Sequence, residues 1–278
     1  MKNILKIMLM MITIFTIAGS AVYAAEIPVS DQDQLITSND WTEISNLQDE
    51  MKKEEPDATI DYDKALKVYV DCNLIKLQTA DTKKLTSALE SANYVWVIPF
   101  KMEKTYGMFT VAKGLPLREE AKSVLTKAEQ EEVKNHAGKW MITEIAEHTV
   151  EPYYDILLEK REALSDCTRV VLVGSQPGMR QPVALGMDDE TARIWISLGY
   201  QYPVMEKIPE TQNVESGVYS FDSVAEISDT YIEDSEVSTG VGVQSRSSMK
   251  YVAGIGIIVI GSILILSVLK KKKLEDYE

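Results

Sequence analysis

The sequence is poor in the residue types from which metal and nucleophile sites are most often assembled. It holds two histidines and two cysteines in 278 residues. His136 and His148 are separated by eleven residues across an expected helix end and strand, so they do not form the two-histidine helical pair of zinc proteases. A structural role is expected for both. Cys72 and Cys167 are too few for the disulfide framework of a small secreted module, and they lack the spacing of a redox motif. No glycine-rich phosphate cradle or dinucleotide fingerprint is present. Basic residues number 29 against 43 acidic ones, a net charge of -14, and no basic patch interrupts that balance. Nucleotide and nucleic-acid functions are therefore excluded.

Long uncharged runs are missing except near the two ends. Tyr251 to Leu269 carries no charge, and a helix of that length rises about 28 Å against a hydrocarbon core of roughly 30 Å. Lys270, Lys271, Lys272 and Lys273 follow at once, and such a basic edge is retained on the cytoplasmic side. The expectation is one transmembrane helix over 249–269 and a cytoplasmic tail over 270–278. At the other end, Lys2 and Lys6 precede an apolar run from Ile7 to Ala18 and the small residues Ala21, Ala24 and Ala25. That is the pattern of a secretory signal peptide over 1–24 with Ala25 as mature N-terminus, an uncleaved anchor being the alternative. The chain is thus expected in the cell membrane as a single-pass protein with its N-terminal domain outside.

Between residues 25 and 248 lie 22 basic and 40 acidic residues, a net charge of about -18. Such a field repels anionic polymers and favours cations, so the expected partners are the membrane, another envelope protein or a cationic ligand. Residues 25–60 read as a polar lead with one amphipathic island, Trp41, Ile44, Leu47 and Met51, expected as a helix from Trp41 to Lys53 behind Asp40 with Glu43 at capping-box spacing. Residues 61–208 read as a single α+β ectodomain. Its mixed, largely antiparallel sheet is expected in the order β-α-ββ-α-β-α-βββ, with the helices on one face.

Local signals carry that reading. Leu66, Val68, Val70 and Cys72 alternate with polar neighbours, as in a strand with one buried face. Asp81 caps a helix near 82–91, and Thr126 with Glu129 forms a capping box for a helix stopped by Gly138. Two aromatic and β-branched runs, 94–102 and 108–112, make a hairpin whose turn is Thr105, Tyr106 and Gly107, and Pro99 argues for an edge position or a bulge. Trp140 to Ile145 is a short strand. Pro152 opens a helix whose Tyr154, Leu157, Leu158 and Leu164 share a face, and 170–173, 183–185 and 194–198 form an antiparallel meander. Residues 209–248 read as a flexible acidic stalk, with Val218, Tyr219, Phe221 and Ile227 leaving room for a docking segment.

Chemistry is thinly signalled. Ser175 follows a strand, but Gly174, Ser175, Gln176, Pro177 and Gly178 lack the glycine two positions before the serine that a nucleophile elbow needs. Glu144 and Glu147 near His148 differ in strand parity, and Asp61 with Asp63 or Asp188 with Asp189 and Glu190 lack a glycine-bent calcium loop. No catalytic residue, cofactor or metal ligand is therefore assigned. Cys72 ends the first strand and Cys167 opens a later one; if those strands are antiparallel neighbours the thiols meet in a disulfide, and otherwise they are two buried free thiols.

The hydrophobic span with its basic tail is similar to the tripartite cell-wall sorting signal of Gram-positive surface proteins, cleaved at Leu-Pro-x-Thr-Gly. Thr239 and Gly240 stand at a fitting distance, but Glu236 and Val237 replace the Leu and Pro. The resemblance implies transfer to the wall by a sortase, and the departure leaves membrane retention as the expectation. The functional expectation is a non-enzymatic, membrane-anchored extracytoplasmic binding or accessory module of the cell envelope. The alternatives are a membrane-tethered envelope hydrolase and a sortase-processed surface protein.

Overall fold

The computed structural model describes residues 27–148, 152–174, 176, 179, 182–198, 205–208 and 213–232. The expected signal peptide, the span 249–269, the tail, and the stalk beyond residue 232 lie outside the described residues. No helix among the described residues is long and apolar enough to cross a membrane.

Among the described residues ten strands form one sheet: β1 Thr59–Ile60, β2 Leu66–Val70, β3 Asn93–Lys101, β4 Tyr106–Lys113, β5 Trp140–His148, β6 Arg169–Val173, β7 Val183–Met187, β8 Ala192–Ser197, β9 Asn213–Glu215 and β10 Val218–Ser220. Their spatial order is β5-β4-β3-β2-β6-β7-β8-β10-β9, with β1 paired on β3. Every pairing is antiparallel except β2 with β6. The protein is an α+β fold with a mixed, mostly antiparallel sheet. Two meanders are joined through one parallel pair at its centre.

That pair decides the layering. The chain leaves β5 at one edge and must return to the middle to start β6 parallel to β2, so it crosses a face of the sheet. The helix on this crossing, Tyr153–Glu159, buries Tyr153, Ile156 and Leu157 with Leu66, Val68, Val170 and Leu172. The helices Thr82–Glu90 and Phe221–Ile232 pack on the opposite face, against Tyr69, Val171, Val173, Leu185 and Trp195. Helices thus cover both faces, which corrects the expectation of one. Within Tyr153–Glu159 the inward residues also differ from the sequence reading, since Leu158 is 38% exposed.

Because β2 is central, both of its faces are covered. Lys67 and Tyr69 face one layer and are buried, while Leu66 and Val68 face the other. The alternation in the sequence was of chemistry, not of exposure. Pro99 is also interior, and the reason it is tolerated is geometric. Pairing of β3 with β2 ends at Val97, pairing with β1 starts at Phe100, and the Pro99 carbonyl accepts a bond from the Asp61 amide. The missing N–H falls in the gap between the two partners.

Gly107 is a strand residue opposite Phe100 and not part of the turn. A Cβ there would lie 2.0 Å from the Phe100 ring, which needs the space to pack on Phe109 at 4.6 Å between centroids. The hairpin, the Asp81 cap, which accepts from the Lys84 amide, and the Thr126–Glu129 capping box ahead of Lys127–His136 are formed as the sequence implies. Gly138 takes a left-handed φ of 77° just past that helix.

The segment expected as a polar lead is a layer of the domain. Leu35, Ile44 and Met51 are fully buried against Trp96, Ile98, Phe100 and Phe109. It is not one helix. Trp41–Ile44 and Gln48–Glu54 are helical, and Ser45–Leu47 between them is a tighter turn. The spacing of three that links Trp41, Ile44 and Leu47 suits three residues per turn better than 3.6. At the other end, Val218, Tyr219, Phe221 and Val224 are buried. The first part of the expected stalk, 213–232, completes the sheet and its cover.

Candidate functional site

The region most unlike ordinary packing is the connection from β2 to the helix Thr82–Glu90, which we label α3; in chain order Trp41–Ile44 is α1 and Gln48–Glu54 is α2. It begins and ends in left-handed backbone without glycine, at Asp71 with φ 58° and Gln78 with φ 48°. Such conformations cost of order 1–3 kcal/mol and persist only where the surroundings fix them. Gln176 braces the residues between them. Its side-chain carbonyl accepts from the Leu74 amide at 3.0 Å, and its amide group donates to the carbonyls of Cys72 and Gly174 at 2.6 and 2.9 Å. Leu74 and Ile75 are thereby pinned into the core, and Asn93 donates to the Asp71 carboxylate at 3.1 Å.

The pinned segment forms one wall of an open groove. Ile75, Gln78, Thr79 and Ala80 face Phe221, Asp222, Ala225 and Glu226 of the C-terminal helix across a volume of about 340 Å³. The floor is apolar through Ile75 and Phe221. The lip on the helical side carries Asp222 and Glu226, four residues apart and therefore on one side of the helix. No hydrogen bond or ion pair engages either carboxylate among the described residues.

A second unusual feature lies deeper. Asp33 is 1% exposed and accepts hydrogen bonds from the hydroxyls of Tyr69 and Ser30, both at 2.7 Å, and from Arg169 at 3.2 Å, with Lys67 at 3.6 Å. The Lys67 ammonium also lies 4.6 Å from the Tyr94 ring centre and 5.2 Å from that of Trp96. Asp40, expected as a helix cap, makes no cap bond; its carboxylate accepts from the Tyr94 hydroxyl at 2.8 Å and the Trp96 indole at 3.0 Å. Burial first, and then the adjacent carboxylates, push both phenols well above their usual range, so Tyr69 and Tyr94 remain donors. Two cations and two carboxylates bind the N-terminal layer to the centre of the sheet. The sequence hid this set because its members are scattered from residue 33 to residue 169 and Lys67 sits where alternation implied solvent.

The residues singled out in the sequence do not converge. Cys72 and Cys167 are free thiols. Their strands are neighbours but parallel, so one cysteine follows the end of β2 and the other precedes the start of β6, at opposite ends of the pair. Burial pushes both thiols up to about 11. Alkylation of the folded protein near neutral pH is therefore expected to be slow at both, with no change in electrophoretic mobility on reduction. Fast double modification would contradict the raised thiol of half-buried Cys72 and the burial of Cys167.

Ser175 lies outside the described residues. His136 is the last residue of its helix, and His148 closes β5. Among the described residues no group of three or more His, Cys, Asp or Glu is placed to hold a metal ion. Asp188 is a turn-former; the amides of Thr191 and Glu190 first, and then Arg193, donate to its carboxylate and hold it down at about 2. Asp61 lies 3.8 Å from Lys64.

Glu144 faces Thr110 of β4, whereas Glu147 is opposite Gly107, on the other side of the sheet as parity requires. Burial raises the Glu144 carboxyl to about 7, against a weak opposing bond from Thr110. A carboxyl raised in the folded state contributes stability when protonated. Its contribution is full below pH 4.5 and is lost as pH rises through 7. At about 1.4 kcal/mol per unit the loss is roughly 3 kcal/mol. Glu144→Gln is expected to flatten the decline in urea midpoint between pH 5 and 8, and an unchanged decline would locate it elsewhere. Set against protein-family models, curated proteins and solved structures, the chain matches none.

Proposed function

We propose that the chain is a membrane-anchored extracytoplasmic module of the cell envelope that works by binding and not by catalysis. The observation that carries this reading is the uncharged span Tyr251 to Leu269 with four lysines directly behind it, a pattern that supports an outward position for residues 25–248. The finer architecture belongs to the same proposal: the α+β domain 27–232 stands outside, the acidic remainder to residue 248 is a short stalk, and one helix crosses the bilayer. The net charge of about -18 favours a cationic ligand or a basic face on another envelope protein.

Crosslinking in intact cells tests this reading. A defined envelope protein recovered through the outer domain is the expected result. Turnover of peptidoglycan fragments, esters or peptides by the purified protein would overturn it in favour of an anchored hydrolase.

A further inference from the structure

We infer that the groove between residues 75–80 and the C-terminal helix Phe221–Ile232 is the docking site for a cationic peptide segment of a partner protein, an inference that rests on the binding function proposed above. The occupant follows from the walls. Ile75 and Phe221 are nearly fully buried at the floor, with Ala80 and Ala225 partly exposed beside them. The apolar surface open to a partner is that of Ala80 and Ala225, which suits a short aliphatic side chain seated above the buried pair. Asp222 and Glu226 on the lip are exposed and without a cation among the described residues, and the lining contains no lysine, arginine or histidine. A lysine or arginine next to the seated aliphatic residue meets one or both of them.

The volume of about 340 Å³ is at the small end of ligand sites and suits one or two side chains of a longer segment, not a whole ligand. The wall is also preorganised. Gln176 and the left-handed Gln78 hold it in place before any partner arrives, which lowers the ordering cost of binding.

The test uses the full chain in detergent micelles and a fluorescent peptide rich in lysine and leucine, read by anisotropy at low and physiological salt. The paired substitutions Asp222→Asn and Glu226→Gln are expected to weaken binding about fivefold, from two exposed charge pairs, and Ala225→Trp about tenfold by filling the floor. Neutralising Glu119 and Glu131, exposed acids of other helices that remove the same charge, is expected to change affinity less than about twofold. Far-ultraviolet circular dichroism verifies that each variant is folded. Equal weakening by both charge pairs, or binding indifferent to Ala225→Trp, overturns the groove as the site. If a photo-crosslinker at Gln78 captures nothing while one elsewhere on the outer domain captures an envelope protein, the groove assignment fails and the anchored binding function stands.

Discussion

Asp33→Ala should cost about 3–5 kcal/mol of stability, the range for removing one partner from a buried ionic set. The substitution leaves Lys67 and Arg169 without their carboxylate and takes an acceptor from the Tyr69 and Ser30 hydroxyls. The loss is large because Lys67 is 9% exposed and cannot turn to water. In urea the midpoint should fall by about 1–2 M, taking a slope of a few kcal/mol per molar. Two further variants separate charge from shape. Asp33→Asn keeps an acceptor but not the charge and should recover part of the loss, and Lys67→Met in the Asp33→Ala background should recover more, since an apolar side chain under Tyr94 and Trp96 needs no counterion. A loss under about 1 kcal/mol for Asp33→Ala would mean that solvent already screens the set.

The second large effect concerns the N-terminal layer. Leu35 is fully buried, and its backbone N–H donates to the Ala65 carbonyl at 3.2 Å. Leu35→Ala should cost about 2–5 kcal/mol, as for other fully buried leucines, with Ile44→Ala similar. Had residues 25–60 been a solvated lead, the same changes would fall within about 0.5 kcal/mol. Equilibrium urea denaturation distinguishes the two, and the small value would contradict the packing of this layer on β3 and β4.

What the sequence made legible was what is encoded locally. Asp81 and the Thr126–Glu129 box announce helix starts because the capping atoms lie three residues apart in the chain. The β3–β4 hairpin and the β6–β8 meander are read from short apolar runs between turn residues. The parallel pairing of β2 with β6 brings together residues about a hundred positions apart, and no local pattern marks it. From that one missed pairing follow three errors: the proposed Cys72–Cys167 meeting, the single helical layer, and the outward placement of Lys67. Composition misled at both ends for a related reason. Residues 25–60 and 209–232 are acidic on average, yet a few apolar side chains, Leu35, Ile44 and Met51 in one and Val218, Phe221 and Val224 in the other, suffice to dock them. One wall of the groove was half legible, through Phe221. The other was not, because Ile75 and Gln78 sit in an irregular turn whose shape comes from Gln176 on a distant loop.

The central claim is an outward-facing domain held by the span Tyr251 to Leu269. It is tested most directly by labelling intact cells with a membrane-impermeant maleimide, in a background where Cys72 and Cys167 are serine and a single cysteine is placed by Thr239→Cys or Leu274→Cys. The account predicts labelling at position 239 without lysis and at position 274 only after permeabilisation, with the protein in the membrane fraction. Labelling at 239 only after lysis, or recovery of the protein without its membrane, would contradict it.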